Sequence, residues 1–97
     1  MKIDTLEARV IAGMCYLDAI TPGWKKEINV EELDLRIDED CVLGQLYGSC
    51  DYVELTAAAA YALGFHIDPY GEEKPSSRSW KVLTETWKKN LKKEKKR

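Results

Sequence analysis

Apolar residues recur at Leu6, Val10, Met14 and Leu17, with Ile11 and Cys15 beside them. A spacing of three and four lays one stripe along a helix, and the two neighbours widen it. Asp4 is placed to cap this first helix, and Glu7 three residues on completes a capping-box pair. Thr21-Pro22-Gly23 stops it, since proline cannot continue a helix and glycine suits the exit. The pattern then changes period. Asn29 and Glu32 frame a short helical turn over 30–34, after which Leu33, Leu35 and Ile37 alternate with Asp34, Arg36 and Asp38. A period of two predicts a short extended piece.

Asp38 or Asp40 starts a third helical segment running to Tyr47, ended by Gly48 and Ser49. Asp51 and Glu54 form a capping pair for a fourth, Tyr52 to Leu63, whose four successive alanines favour helix and leave a face another helix can approach closely. Gly64 suits its exit. Phe65 and Ile67 flank His66 in a second candidate strand, and Asp68-Pro69-Tyr70-Gly71 reads as a turn. Ser76 or Ser77 caps the last helix, on which Trp80, Leu83, Thr84, Trp87 and Leu91 make the apolar stripe. These elements predict a mainly α fold: a compact single-domain bundle of about four helices over residues 1–91, with room for one short two-stranded β element pairing 33–37 with 65–67. Beyond Leu91 the sequence is polar all round, so 92–97 is expected to fray.

Composition supports one small soluble domain. The 97 residues are 44% apolar and 33% charged, enough for a single core. No apolar run approaches the roughly 20 residues of a membrane span, and Met1–Asp4 does not open a signal peptide. A cytosolic protein is expected, in which three cysteines need no pairing.

Charge is uneven. Residues 88–97 hold seven basic groups against one acid, a net +6, which against the whole-chain −2 leaves −8 on residues 1–87. Seven of the acids fall between Glu27 and Asp40, against Arg36 alone. Lys88, Lys89, Lys92 and Lys93 make the tail an electrostatic candidate for phosphates, or a solubilising helix end that complements the helix dipole. No aromatic residue follows Trp87, so base stacking is not indicated.

Motifs for catalysis or cofactors are missing from the sequence. The cysteines at 15, 41 and 50 and the single histidine, His66, lack the close pairs of a structural zinc site. Cys15 reads as a small buried hydrophobe. The acids at 38–40 oppose a reactive Cys41 thiolate, and His66 serves as a base only if the fold brings it near. Gly44 and Gly48, on one face of a helix, point to close helix approach. Gln45 then stands among apolar neighbours as a polar group needing a buried partner. Among the aromatics, Trp24 after a loop and Tyr70 in a turn are the candidates for a binding surface, the others for core.

The octamer Cys-Val-Leu-Gly-Gln-Leu-Tyr-Gly at 41–48 resembles the signature of a family of small proteins encoded by tailed bacteriophages and by bacteria carrying prophages. Pro-Gly-Trp at 22–24, Val-Glu-Glu-Leu-Asp-Leu at 30–35, Gly-Phe at 64–65 and the segment 83–91 follow in similar order. The family often carries a cysteine two positions before the octamer, where this chain has Glu39. The resemblance brings no catalytic role. It implies a phage or prophage accessory protein in the cytoplasm of a bacterial host, acting as a non-enzymatic, stoichiometric binder, with counter-defence and self-association among its options. Glu31, Glu32 and Asp34 would suit a basic groove on a host protein by imitating phosphate charge. A nucleotide signal would instead need a basic, aromatic pocket, for which Arg9, Arg36, Arg78 and the tail lysines are the suppliers. Gln45, Tyr47, His66 and Tyr70 complete the candidate binding residues. A small nucleic-acid-associated module using the basic C-terminal helix is the alternative.

Overall fold

The computed structural model describes residues 6–37, 39–48, 55–67 and 77–95. Among the described residues there are four helices, α1 (Leu6–Ile20), α2 (Val42–Tyr47), α3 (Ala57–Ala62) and α4 (Ser77–Lys95), with a 3₁₀ turn at Trp24–Glu27. The architecture is mainly helical, and no strand occurs among the described residues. The long helices α1 and α4 pack together. The end of α3 seats on α1, and α2 seats on the 3₁₀ turn.

Helix α1 buries Val10, Gly13, Met14 and Leu17. The stripe is narrower than the sequence suggests, because Ile11 is exposed and Cys15 lies on the solvent side. Gly13 explains the difference. A Cβ placed there would lie 2.0 Å from the Leu63 carbonyl oxygen, so the buried face of α1 centres on the line where α3 abuts it. Close approach comes from Gly13 and Gly64, not from the alanines of α3, none of which is fully buried. The exit of α3 is a Schellman turn: Gly64 N–H donates to the Tyr61 carbonyl and Phe65 N–H to that of Ala60, with Gly64 at φ +76°.

That turn removes one of the two expected strands, since Phe65 N–H closes a helix. The other is absent for a similar reason. Residues 30–37 form consecutive turns, with the Asn29 side chain accepting the N–H groups of Glu31 (3.1 Å) and Glu32 (3.3 Å) as the sequence indicates. Asp34 accepts the Arg36 N–H (3.0 Å) in the same manner. The alternating leucines Leu33 and Leu35 are still buried. Leu35, however, gives its N–H to Thr84 Oγ1 on α4 (2.9 Å) instead of to a strand.

Two helix starts differ from expectation. Cys41 caps α2, its Sγ accepting the Gly44 N–H at 3.2 Å, where Asp38 or Asp40 was expected. Asp40 cannot do so, because its backbone closes the preceding loop: its N–H goes to Ile37 and its carbonyl accepts from Asp34. Thr56 caps α3, which therefore begins later than the sequence suggests. Asp4, Asp38, Asp51, Glu54 and Ser76 lie outside the described residues. Gly48 ends α2 at φ +92° with open space around it, so it serves a left-handed turn and not a helix contact. Helix α4 buries Leu83, Thr84, Trp87 and Leu91 as its stripe requires, adds Asn90, and continues past Leu91 to Lys95.

Three aromatic rings, Trp24, Phe65 and Trp87, join a core that is otherwise mainly aliphatic. Trp24 meets Trp87 edge-on at 6.3 Å, and Phe65 stacks on Trp87 at 5.6 Å. Both indole N–H groups are satisfied, Trp24 by Asp18 Oδ1 (2.9 Å) and Trp87 by the Gly64 carbonyl (2.7 Å). Trp24, expected at a binding surface, is 1% exposed and is part of this core. The 3₁₀ turn that follows Gly23 swings it inward.

Candidate functional site

Hydrogen bonds hold residues 34–36 and Asp40 in place. Thr84 holds Leu35, the Asp34 side chain holds the Arg36 N–H, and Asp34 N–H closes the loop on the Asp40 carbonyl at 3.2 Å. Cys41 and α2 then carry the chain back into the core. Opposite this loop stand the Schellman exit of α3 and the first turns of α4.

A recess of about 440 Å³ lies between them. Its apolar wall is formed by Leu35, Leu43, Leu55, Ala57, Ala60 and Phe65, and Arg36, Cys41, His66 and Trp80 complete the lining. Trp80 and His66 meet edge to face at 5.3 Å. Beside the recess, and sharing Arg36 and Trp80 with it, is a polar groove of about 290 Å³ that reaches Asp34, Lys81, Glu85 and Lys88. Arg36 stands at the junction. Its guanidinium is 3.9 Å from Asp34 and half-exposed, so the pair is loose and the fork remains accessible to a ligand. This is the volume and chemistry of a small-ligand site, for which roughly 300–1,000 Å³, mostly apolar walls and a few polar groups are typical.

The fold gathers some of the candidate residues here and disperses others. Arg36 and His66 reach the recess, and Asp34 and Lys88 reach the adjoining groove. Glu31 and Glu32 are exposed on the Asn29-capped turn. Gln45 has a structural role. Its Oε1 accepts the Asn29 N–H (2.6 Å), and its Nε2 donates to the carbonyls of Asn29 (3.2 Å) and Asp40 (3.1 Å). One side-chain amide thus copies a peptide group and ties α2 to both ends of the 29–40 segment. Tyr47, half-buried, joins its hydroxyl to Thr21 Oγ1, pinning the end of α2 to the exit of α1. Tyr70 and the Arg78 side chain lie outside the described residues.

The lysines divide. Lys88 belongs to the groove, Lys89 stands 3.7 Å from Glu7 on α1, and Lys93 lines a shallow recess with Lys25 and Asp18. Lys92 is exposed. Arg9 lies over the Tyr61 ring at 4.2 Å, where it braces α3 against α1. Among the described residues no three His, Cys, Asp or Glu side chains converge as a metal site, and no helix is long and apolar enough to cross a membrane.

Sequence reasoning missed Trp80 as a site residue. It sits at the first position of the α4 stripe, and only its place one turn before the fully buried Leu83 hints that it lies at the edge of the core. Thr84, placed in the stripe, gave no sign that it would anchor the loop opposite. In comparisons with protein-family models, with curated proteins and with solved structures, the chain matches none of them.

Proposed function

We propose that this chain is a phage or prophage accessory protein that acts by stoichiometric binding, with the recess between the 33–43 loop, the exit of α3 and the start of α4 as the seat of a small ligand. One observation carries the binding reading: a largely apolar recess of about 440 Å³ whose loop wall is held by hydrogen bonds to Thr84, Asp34 and Asp40 and whose lining includes Arg36, His66 and Trp80. A frame ordered in advance reduces the entropy lost on binding. The phage context comes from the resemblance of the 41–48 octamer and the segments around it.

Sequestration of a small molecule, such as a host signal, fits this geometry better than imitation of phosphate charge against a host protein. Asp34 is turned to its own loop and to Arg36 and so is not offered with the exposed Glu31 and Glu32 to a partner. Titration with a set of small fragments, followed by amide and indole NMR signals, tests the proposal. The expected result is saturable one-to-one binding, with shifts confined to Ala57, Ala60, Phe65 and the Trp80 indole, and with the fragment recovered unchanged. Cys41→Ser keeps an N-cap acceptor and changes one lining atom, so it should still bind the fragment and return it unchanged. Chemical conversion of a bound compound, or fragments that shift only signals elsewhere, would overturn it.

A further inference from the structure

We infer that the ligand of this recess is a small aromatic anion: a flat ring carrying a phosphate or carboxylate. The inference rests on the recess being the binding seat, and it adds the class of molecule held there. Three features point to it. The walls beside Trp80 are apolar, from Leu35, Leu43, Leu55 and Phe65, and suit a ring more than a hydrated group. Trp80 is half-buried and lines both the recess and the groove, so it presents an aromatic surface at their junction. The cations lie on the groove side: Arg36 at the junction, with Lys81 and Lys88 beyond it.

Polarity is therefore divided along the site. A ring in the recess would place a substituent in the groove, within reach of a guanidinium whose planar fork matches carboxylate and phosphate oxygens. The groove also holds Asp34 and Glu85. Asp34 is the acid 3.9 Å from Arg36, and an incoming anion would compete with that loose pair for the fork. The three cations exceed the two acids, which favours a ligand bearing a small negative charge. A neutral ring would fill the recess and leave the fork without its partner. A phosphate without a ring would meet the cations and leave the apolar wall hydrated.

Nucleoside monophosphates and aromatic carboxylates share this chemistry, and a direct titration separates them. The probes are adenosine 5′-monophosphate, 1-naphthoate, uncharged adenosine, uncharged indole and ribose 5-phosphate. Tryptophan emission gives the readout, since Trp24 and Trp87 are 1% and 0% exposed and Trp80 alone of the three lines the recess. Both ring-bearing anions are expected to bind and to alter Trp80 emission, with adenosine and ribose 5-phosphate each weaker by about tenfold or more. The ratio between the two anions identifies the source. Arg36→Ala should weaken the anions by a similar factor and leave indole unchanged, with Arg36→Lys between the two. Trp80→Ala, followed by NMR, should weaken the ring-bearing anions, with Trp80→Phe, which keeps an aromatic face, between it and the native chain. If indole and adenosine bind as tightly as the anions and Arg36→Ala changes nothing, the anionic class is wrong and the recess remains a neutral-ligand site. If no probe binds at millimolar concentration, both the class and the recess as binding seat fall.

Discussion

At the residue scale, Gln45 and Gly13 show how single side chains set this fold. Gln45 completes three hydrogen bonds with backbone groups at positions 29 and 40. Truncation releases the loop without opening a large cavity, because the partner groups lie near the surface and can hydrate. Gln45→Ala is therefore expected to destabilise by about 1–2 kcal/mol, read as a lower urea midpoint with an unchanged slope. Gly13 acts by having no side chain. Ala ordinarily gains about 1 kcal/mol over Gly inside a helix, but a Cβ here would overlap the Leu63 carbonyl, which is backbone and cannot rotate away. Gly13→Ala should destabilise by about 3 kcal/mol, whereas Gly48→Ala, with free space and only a left-handed φ to strain, should cost about 1 kcal/mol. The sequence marks Gln45 as a polar residue needing a buried partner; its partners are backbone groups at 29 and 40 that lie nearer the surface. Nothing local marks Gly13, because its partner is fifty positions away.

At the element scale, what could be read from the sequence was whatever neighbours in the chain decide. The stripes of α1 and α4, the Asn29 turn, the Gly64 exit and the end of α2 at Gly48 all follow from local spacing and turn chemistry. The strands were misread because alternating leucines at 33 and 35 are buried by consecutive turns as well as by a pleat, and the choice was made by Thr84, 49 residues on. The caps were misread because thiol and hydroxyl acceptors at Cys41 and Thr56 took the places assigned to acids. The same logic divides the candidate site: Arg36 and His66 are polar and stand out, while Trp80 carries no sign in the sequence of which side of the core edge it occupies. Thr84→Val tests the link between α4 and the loop. The substitution nearly preserves shape but leaves the buried Leu35 N–H without its acceptor, which costs about 1–3 kcal/mol. Amide hydrogen exchange at Leu35 should accelerate accordingly, while Thr84→Ser should protect it as the native residue does.

At the scale of the whole molecule, the charge asymmetry is organised by α4. The helix persists to Lys95, so Lys88, Lys89, Lys92 and Lys93 are set at fixed angles and not pooled in a loose tail. Three of them have different neighbours: Lys88 lines the Trp80 groove, Lys89 stands by Glu7, and Lys93 lies beside Lys25 and Asp18. A duplex or single strand would meet these lysines beside a −8 body that repels it. Nucleic-acid binding is therefore expected to be detectable only at low ionic strength and to vanish near physiological salt, measured by anisotropy of a labelled duplex. Truncation after Leu91 removes five basic groups and one acid, taking the net charge from −2 to −6. It should abolish that residual binding. The fold should lose no more than about 1 kcal/mol of favourable lysine–dipole interaction, because the buried stripe already ends at Leu91. Capture of aromatic anions should survive the same truncation, since Arg36, Trp80, Lys81 and Lys88 all remain. Tight, salt-resistant duplex binding that disappears on truncation would reverse the order of the two readings and make the basic helix, not the recess, the centre of function.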